Sequence, residues 1–352
     1  MTGSAAAALR IHGGRVDLAA QAYPDAPLPW IDLSTGINPI AYPVPPLPPE
    51  AFARLPLATE LHELCAAAAD AYGLPQGAAM LPAPGSEIAI RLTPRVLAAR
   101  PAAQVGILTP TYSSHAAAWR AAGARVHELG ALPDPDAALD ALVVVNPNNP
   151  DGRGIDAGTL AAFAATWCAS GKRLVVDEAF AEVRPELSLL RGAALPPGLV
   201  VLRSLGKFFG LAGLRLGFVA VNAGDAPPWR DLLGDWAASG PACAIGTRAM
   251  RDTAWIASAR ERLAADRRRL DATLTAAGLT ARGGTDLFGL YEDNDGRDLV
   301  DAFARAGILI RGFTHSPQCY RFGLPGDAAA WQRLEQVCAT LQGRKAANVA
   351  AG

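Results

Sequence analysis

RSLGKFFGLAGLRLGF, residues 203–218, places one lysine, Lys207, among serine, glycine and aromatic residues, with Arg215 eight positions further on. It is flanked by LVVLRS (199–204) and overlaps LGFVAV (216–221), two short apolar runs of strand composition. The stretch is not a nucleotide-binding P-loop. Phe208 stands where the hydroxyl residue after the lysine is required, and Val201 where the first glycine is required.

Working outward, VGILTP (105–110), RVHEL (125–129), ALVVVNP (141–147) and RLVVDEAF (173–180) have the same character. They are bounded by turn residues and lack polar alternation, as strands buried on both faces do. Helical stretches such as SEIAIRLTPRVLAA (86–99), SSHAAAWRAAG (113–123) and DAGTLAAFAATWCASG (156–171) lie near or between them. The pattern predicts an α/β fold whose mainly parallel sheet is covered by helices on both sides. Beyond Pro241, one long helix over 247–278 is expected. Strands in FGLYE, GILIRGF and YRFGL and a final helix would complete a smaller α+β domain. The expected divisions are an N-terminal tail and proline-rich arm at 1–48, a large domain at 49–240, a small domain at 241–342 and a loose tail at 343–352. The triple arginine 267–269 reads as a solvated helix face.

With 32 basic against 33 acidic residues the chain has no global field to attract nucleic acid or an anionic membrane, so any anion is held locally. The five cysteines show no C-x-x-C spacing, which speaks against disulfides and a metal site. No signal segment or membrane span is legible, and a cytoplasmic protein is expected.

Several short motifs carry chemistry. In PAPGSEIAI, Gly85, Ser86 and Glu87 stand where a loop becomes a helix, so free backbone N–H groups can hold a phosphate; an ordinary helix cap is the plainer alternative. Tyr112 follows a strand at the edge where ligands gather in α/β sheets, and its ring can stack on a flat cofactor. Asn149 lies in the NPNNPDG turn, where an amide can donate to a ring oxygen. Asp177 ends an apolar strand and needs a cationic partner, either a protonated ring nitrogen or an arginine. Ser204 and Lys207 lie past the next strand end. Together they ask for an aromatic cation with a phosphate and an aldehyde, which is pyridoxal 5′-phosphate.

The order GSE, Tyr, NNP-x-G, D-E-A-aromatic and S-x-x-K with arginine eight residues on is similar to the class I/II aminotransferases of the aspartate-aminotransferase fold. The resemblance implies fold type I, with a seven-stranded sheet. It also implies that Lys207 holds the cofactor covalently and moves protons at the substrate Cα, and that Asp177 keeps the ring nitrogen protonated. Asn149 would meet the ring oxygen and Tyr112 the ring face. Gly85, Ser86, Ser204 and Arg215 would hold the phosphate. Arg321 matches the arginine that takes the substrate carboxylate. Phe180 stands where a tyrosine is usual, and Leu55-Pro56 where a Tyr-Pro pair is usual.

RIHGGRVDLAAQA with WIDLSTGINPIAYP resembles the opening of the threonine-phosphate decarboxylases of cobalamin biosynthesis. That resemblance implies a lyase acting on a small phosphorylated amino acid, and we expect a second anion site for the substrate phosphate built from His12 and Arg311, with Asn38 as a further candidate. A homodimer is expected from the arm and from the family. A histidinol-phosphate-type aminotransferase and a non-catalytic cofactor-binding assembly protein are the alternatives.

Overall fold

The computed structural model describes residues 13–97, 102–192 and 194–350, and of 343–350 the backbone alone. Among these residues the strands are β1 (Ile31–Asp32), β2 (Ala78–Ala83), β3 (Gln104–Leu108), β4 (Arg125–Leu129), β5 (Ala141–Val145), β6 (Arg173–Asp177), β7 (Leu199–Ser204) and β8 (Gly217–Asn222). After them come β9 (Thr280–Thr285), β10 (Phe288–Glu292), β11 (Ile308–Leu309), β12 (Arg311–Gly312) and β13 (Cys319–Gly323). The contacts divide the chain into a 41–257 unit and a unit made of 1–40 with 258–352.

The 41–257 unit is built on a seven-stranded sheet of order β2-β8-β7-β6-β5-β3-β4. Only β8 runs against its neighbours, and the β7-β6-β5-β3-β4 ladder is parallel. β5 is apolar throughout, and β6 and β7 are apolar over Leu174–Val176 and Leu199–Leu202, because both faces are covered. On one face Val105, Val143, Val175, Val200 and Val219 pack with Trp119 and Trp229, which come from the helices Ser113–Ala121 and Ala226–Leu233. On the other, Tyr72 at the end of the helix Ala58–Tyr72 meets Phe218 edge-on. Fully burying each such valine stabilises the fold by roughly 1.5–3 kcal/mol.

Two strands depart from the sequence reading. RVHEL is an edge strand and mostly exposed, with His127 bonded to Gln104, so it is not buried on both faces. β2 was not legible, because AAMLPA is alanine-rich and carries Pro82. As the edge strand beside β8 it tolerates a residue that cannot donate.

In the second unit β1 pairs parallel with β11, while β12-β13-β10-β9 form an antiparallel sheet. Ile31 N–H donates to Gly307 O and Leu33 N–H to Leu309 O, which ties the first part of the arm to the C-terminal strands. For that reason the observed divisions fall after residues 40 and 257 rather than at 48 and 240. The single helix expected over 247–278 is two, Gly240–Arg251 and Thr253–Ala276. Asp252 leaves the helical conformation between them, and its carboxylate accepts from Trp255 N–H at 2.9 Å. Arg267 is not a solvated surface residue, since it donates to Thr285 O, Gly283 O and Asp271. The helix Ala328–Ala350 continues through most of the expected tail.

Candidate active site

At the carboxyl edge of the sheet the parallel ladder aligns Val145 of β5, Asp177 of β6 and Leu202 of β7. The chain leaves that edge three times in succession, and each exit carries a candidate residue.

The first exit is the NPNNPDG turn after β5. Asn146 bonds Ile155 and Leu187 O, and Asn148 bonds Pro110 O, Thr111 and Asp151. These two amides hold the turn in shape, and half-buried Asn149 follows them.

The second exit is Asp177, which is buried. Its Oδ1 accepts from Ala179 N–H at 3.0 Å, and its Oδ2 lies 2.9 Å from His115 Nε2. An ionised carboxylate can only accept, so Nε2 is the donor. Among the described residues no arginine takes that place. His115 was not singled out in the sequence, although it lies three residues after Tyr112 in TYSSH, close enough to share a helix face. The rings of Tyr112 and His115 meet edge to face at 6.4 Å. The Tyr112 hydroxyl donates to Glu87 Oε2 at 3.1 Å, and Arg91 donates to Oε1 of the same carboxylate. Burial and, secondarily, that carboxylate push the Tyr112 hydroxyl above its ordinary pKa. Glu87 thus stands on Tyr112.

The third exit, from β7, brings Ser204, opposite Gly217 of β8, and then the one-turn helix Leu205–Phe208 that carries Lys207. Lys207 Nζ lies 5.8 Å from the centre of the buried Phe180 ring. Phe208 and Phe209 are buried against Trp255, whose ring stacks on Phe209 at 5.5 Å. The lysine turn therefore stands on an aromatic base.

Gly85, Ser86, Ser204 and Arg215 converge beside this turn. Gly85 has φ +89°, and a Cβ there would come 2.7 Å from Arg215 Nη2. A Cβ on Gly217 would come 2.6 Å from Ser86 N. Only glycines let the guanidinium, the start of the helix Ser86–Leu97 and the Ser204 rung approach this closely. Arg215 itself is left-handed, with φ 56° and ψ 52°, and its Nη1 donates to Ala212 O at 3.0 Å. A helix amino end beside a guanidinium suits a phosphate.

The remaining candidates belong to the second unit, apart from His12, which lies outside the described residues. Arg311 and Arg321 are directly opposed across β12 and β13. Arg321 is buried, donates to Ser34 O at 2.6 Å and lies 5.2 Å over the Phe288 ring. Arg311 lies 5.3 Å over Phe313. The Asn38 side-chain oxygen accepts from Ile40 N–H and from Arg262, a residue not anticipated from the sequence.

Residues 51–334 match the family model for aminotransferase class I and II. The chain is 41% identical over 333 residues to a threonine-phosphate decarboxylase of Sinorhizobium sp, covering 94% of this chain and 98% of that one. It is 44% identical over 328 residues to the threonine-phosphate decarboxylase of Pseudomonas aeruginosa, covering 92% and 96%. The fold is shared with the histidinol-phosphate aminotransferase of Sinorhizobium meliloti, solved in complex with pyridoxal-5′-phosphate. There the TM-score is 0.77 at 19% identity, over 92% of this chain and 95% of that one. The convergence at the sheet edge and the match over most of the chain agree: this chain belongs to the aminotransferase class I and II family.

Proposed function

We propose that this chain is a pyridoxal-phosphate-dependent lyase. It removes CO2 from L-threonine O-3-phosphate to leave (R)-1-aminopropan-2-ol O-phosphate, a reaction of cobalamin biosynthesis. The residues present fit the cofactor: the Gly85 cradle with Arg215 suits its phosphate, buried Asp177 its ring nitrogen, and Lys207 its aldehyde. When bound, pyridoxal phosphate supplies the electron sink for the bond broken at the substrate Cα.

The chain's own residues do the rest. Asp177, oriented by His115, keeps the ring nitrogen protonated. Tyr112 covers the ring, and Asn149 donates to its oxygen. Phe180 places an apolar edge where a tyrosine hydroxyl is usual in the family. After CO2 departs, Lys207 Nζ returns a proton to Cα.

The observation that carries the choice of substrate is the opposition of Arg311 and Arg321. The pair puts two guanidinium groups on neighbouring strands, and the proposed substrate brings two anions, a carboxylate and a phosphate. We assign the carboxylate to Arg321, whose planar fork matches it, and the phosphate to Arg311 with His12. Asn38, whose side-chain oxygen accepts from Ile40 N–H and Arg262, is assigned beside them. Anchoring the two anions separately decides which Cα bond faces the ring.

The reading includes a cytoplasmic homodimer. Phe52, Leu55 and Leu57 are each more than half exposed in the short helix Glu50–Ala53 and the segment after it, just past the arm, which supports a second copy covering them. Among the described residues no helix is long and apolar enough to cross a membrane. The test is incubation of the holoenzyme with threonine phosphate, following CO2 and the amino-alcohol phosphate, beside glutamate-dependent amino transfer. CO2 release without amino transfer is expected, and amino transfer without CO2 would overturn the reading.

A further inference from the structure

Glu178 and Arg203 are the immediate chain neighbours of Asp177 and Ser204, yet neither has a part in the chemistry described above. Successive strand residues point to opposite faces, so the side chain of Arg203 lies on the far side of β7 from Ser204. The last backbone rung between β6 and β7 is Glu178 N–H to Leu202 O at 2.9 Å. Immediately beyond it, Arg203 Nη1 donates to Glu178 Oε2 at 2.8 Å, and Arg203 Nη2 lies 3.0 Å from Glu182 Oε1. The Glu178 carboxylate also accepts from the Ser188 hydroxyl at 2.5 Å and from Leu189 N–H at 2.7 Å. The Arg203 guanidinium lies 3.9 Å over the Tyr72 ring, and none of the three charged side chains is more than 4% exposed.

Replacing such a buried pair by apolar residues of similar volume is often neutral or stabilising, so stability alone is a weak reason for charge here. Position is a better one. Asp177 and Lys207 grip the two ends of one flat cofactor ring, and their spacing is set by how far the ends of β6 and β7 stand apart. Beyond the last rung the backbone no longer fixes that distance, whereas the guanidinium fork does.

We propose that Glu178 and Arg203 are positioning residues, a buried clasp that sets the spacing of Asp177 against Ser204 and Lys207 and thereby tunes the bound cofactor. The clasp acts on cofactor geometry whichever substrate the protein takes.

The test compares wild type, Glu178→Gln, Arg203→Lys, Arg203→Met and the double variant Glu178→Met/Arg203→Met. Three quantities are read: the cofactor dissociation constant, the pH midpoint of the visible absorption of the bound cofactor, and the melting temperature of the cofactor-free protein. Removal of the guanidinium leaves buried Glu182 without its counter-ion, so the double variant is expected to melt below wild type yet stay folded at the temperature of the binding assay. Its cofactor binding should nonetheless weaken at least about tenfold, with a midpoint moved by about half a pH unit or more. Arg203→Lys should recover part of both losses relative to Arg203→Met, since a lysine keeps the charge and loses the fork. If the well-folded double variant binds cofactor as wild type does, with the same midpoint, the pair is core filling and the proposal fails. No substrate enters these readouts, so this failure is distinct from failure of the proposed decarboxylation.

Discussion

His115 Nε2 and Asp177 Oδ2 stand 2.9 Å apart, both buried, one on the helix Ser113–Ala121 and the other at the end of β6. This bond and the Ala179 N–H fix the orientation of the carboxylate. His115→Ala removes a hydrogen bond to a charged group. We expect kcat to fall about tenfold to a hundredfold with a small change in KM, as steady-state kinetics would show.

On the proposed reading, Lys207→Ala removes both the covalent hold and the proton donor. Turnover should drop by at least about 10²–10⁴ from the loss of the acid–base group alone. The cofactor should become removable by dialysis, while the far-UV spectrum stays native.

Gly85→Ala places a methyl 2.7 Å from Arg215 Nη2 on a backbone of positive φ. The left-handed backbone alone costs about 1–3 kcal/mol. Displacement of the guanidinium should weaken cofactor binding more than it lowers the melting point, and fluorescence titration beside thermal unfolding separates the two.

Glu182 lies with Glu178 against one guanidinium, and burial raises the pKa of both carboxyls above the usual carboxylate range. The folded state then keeps more protons than the unfolded chain between the ordinary and the raised values. Stability attributable to these groups is therefore full below that window and falls as pH rises through it. Glu182→Gln, a neutral isostere, should melt about 2–4 °C above wild type at pH 8. The difference should shrink toward pH 5. A gap that widens at pH 5 would reverse the assignment.

Arg321→Lys keeps the charge and loses the planar fork. KM for threonine phosphate should rise about tenfold or more, with a smaller change for Arg262→Lys, which reaches substrate only through Asn38.

Five of the six strand runs quoted on either side of Lys207 were legible because they carry unbroken apolar stretches, as a sheet covered on both faces requires, while RVHEL is the exposed edge strand. The candidate cofactor residues were legible because most lie at or just past a strand end: Asp177 and Ser204 end β6 and β7, and Tyr112, Asn149 and Lys207 follow β3, β5 and β7. What escaped was legible only in three dimensions. His115 is one more residue of a helix until Asp177 is beside it, and Glu178 and Arg203 pair across 25 positions of sequence. Arg267 sits in a basic triplet, and nothing local says that the carbonyls of Gly283 and Thr285 await it. β2 was hidden by alanines, whose strand role comes entirely from the β8 ladder.

Arg215 is a non-glycine residue held left-handed at φ 56°. That conformation costs an ordinary side chain about 1–2 kcal/mol, and glycine would relieve it. A selection for thermal stability run on the cofactor-free protein would therefore favour Arg215→Gly and discard the cation proposed to hold the cofactor phosphate. Stabilised forms of this protein are best sought with cofactor present throughout, so that the conformational relief is weighed against the ligand it forfeits.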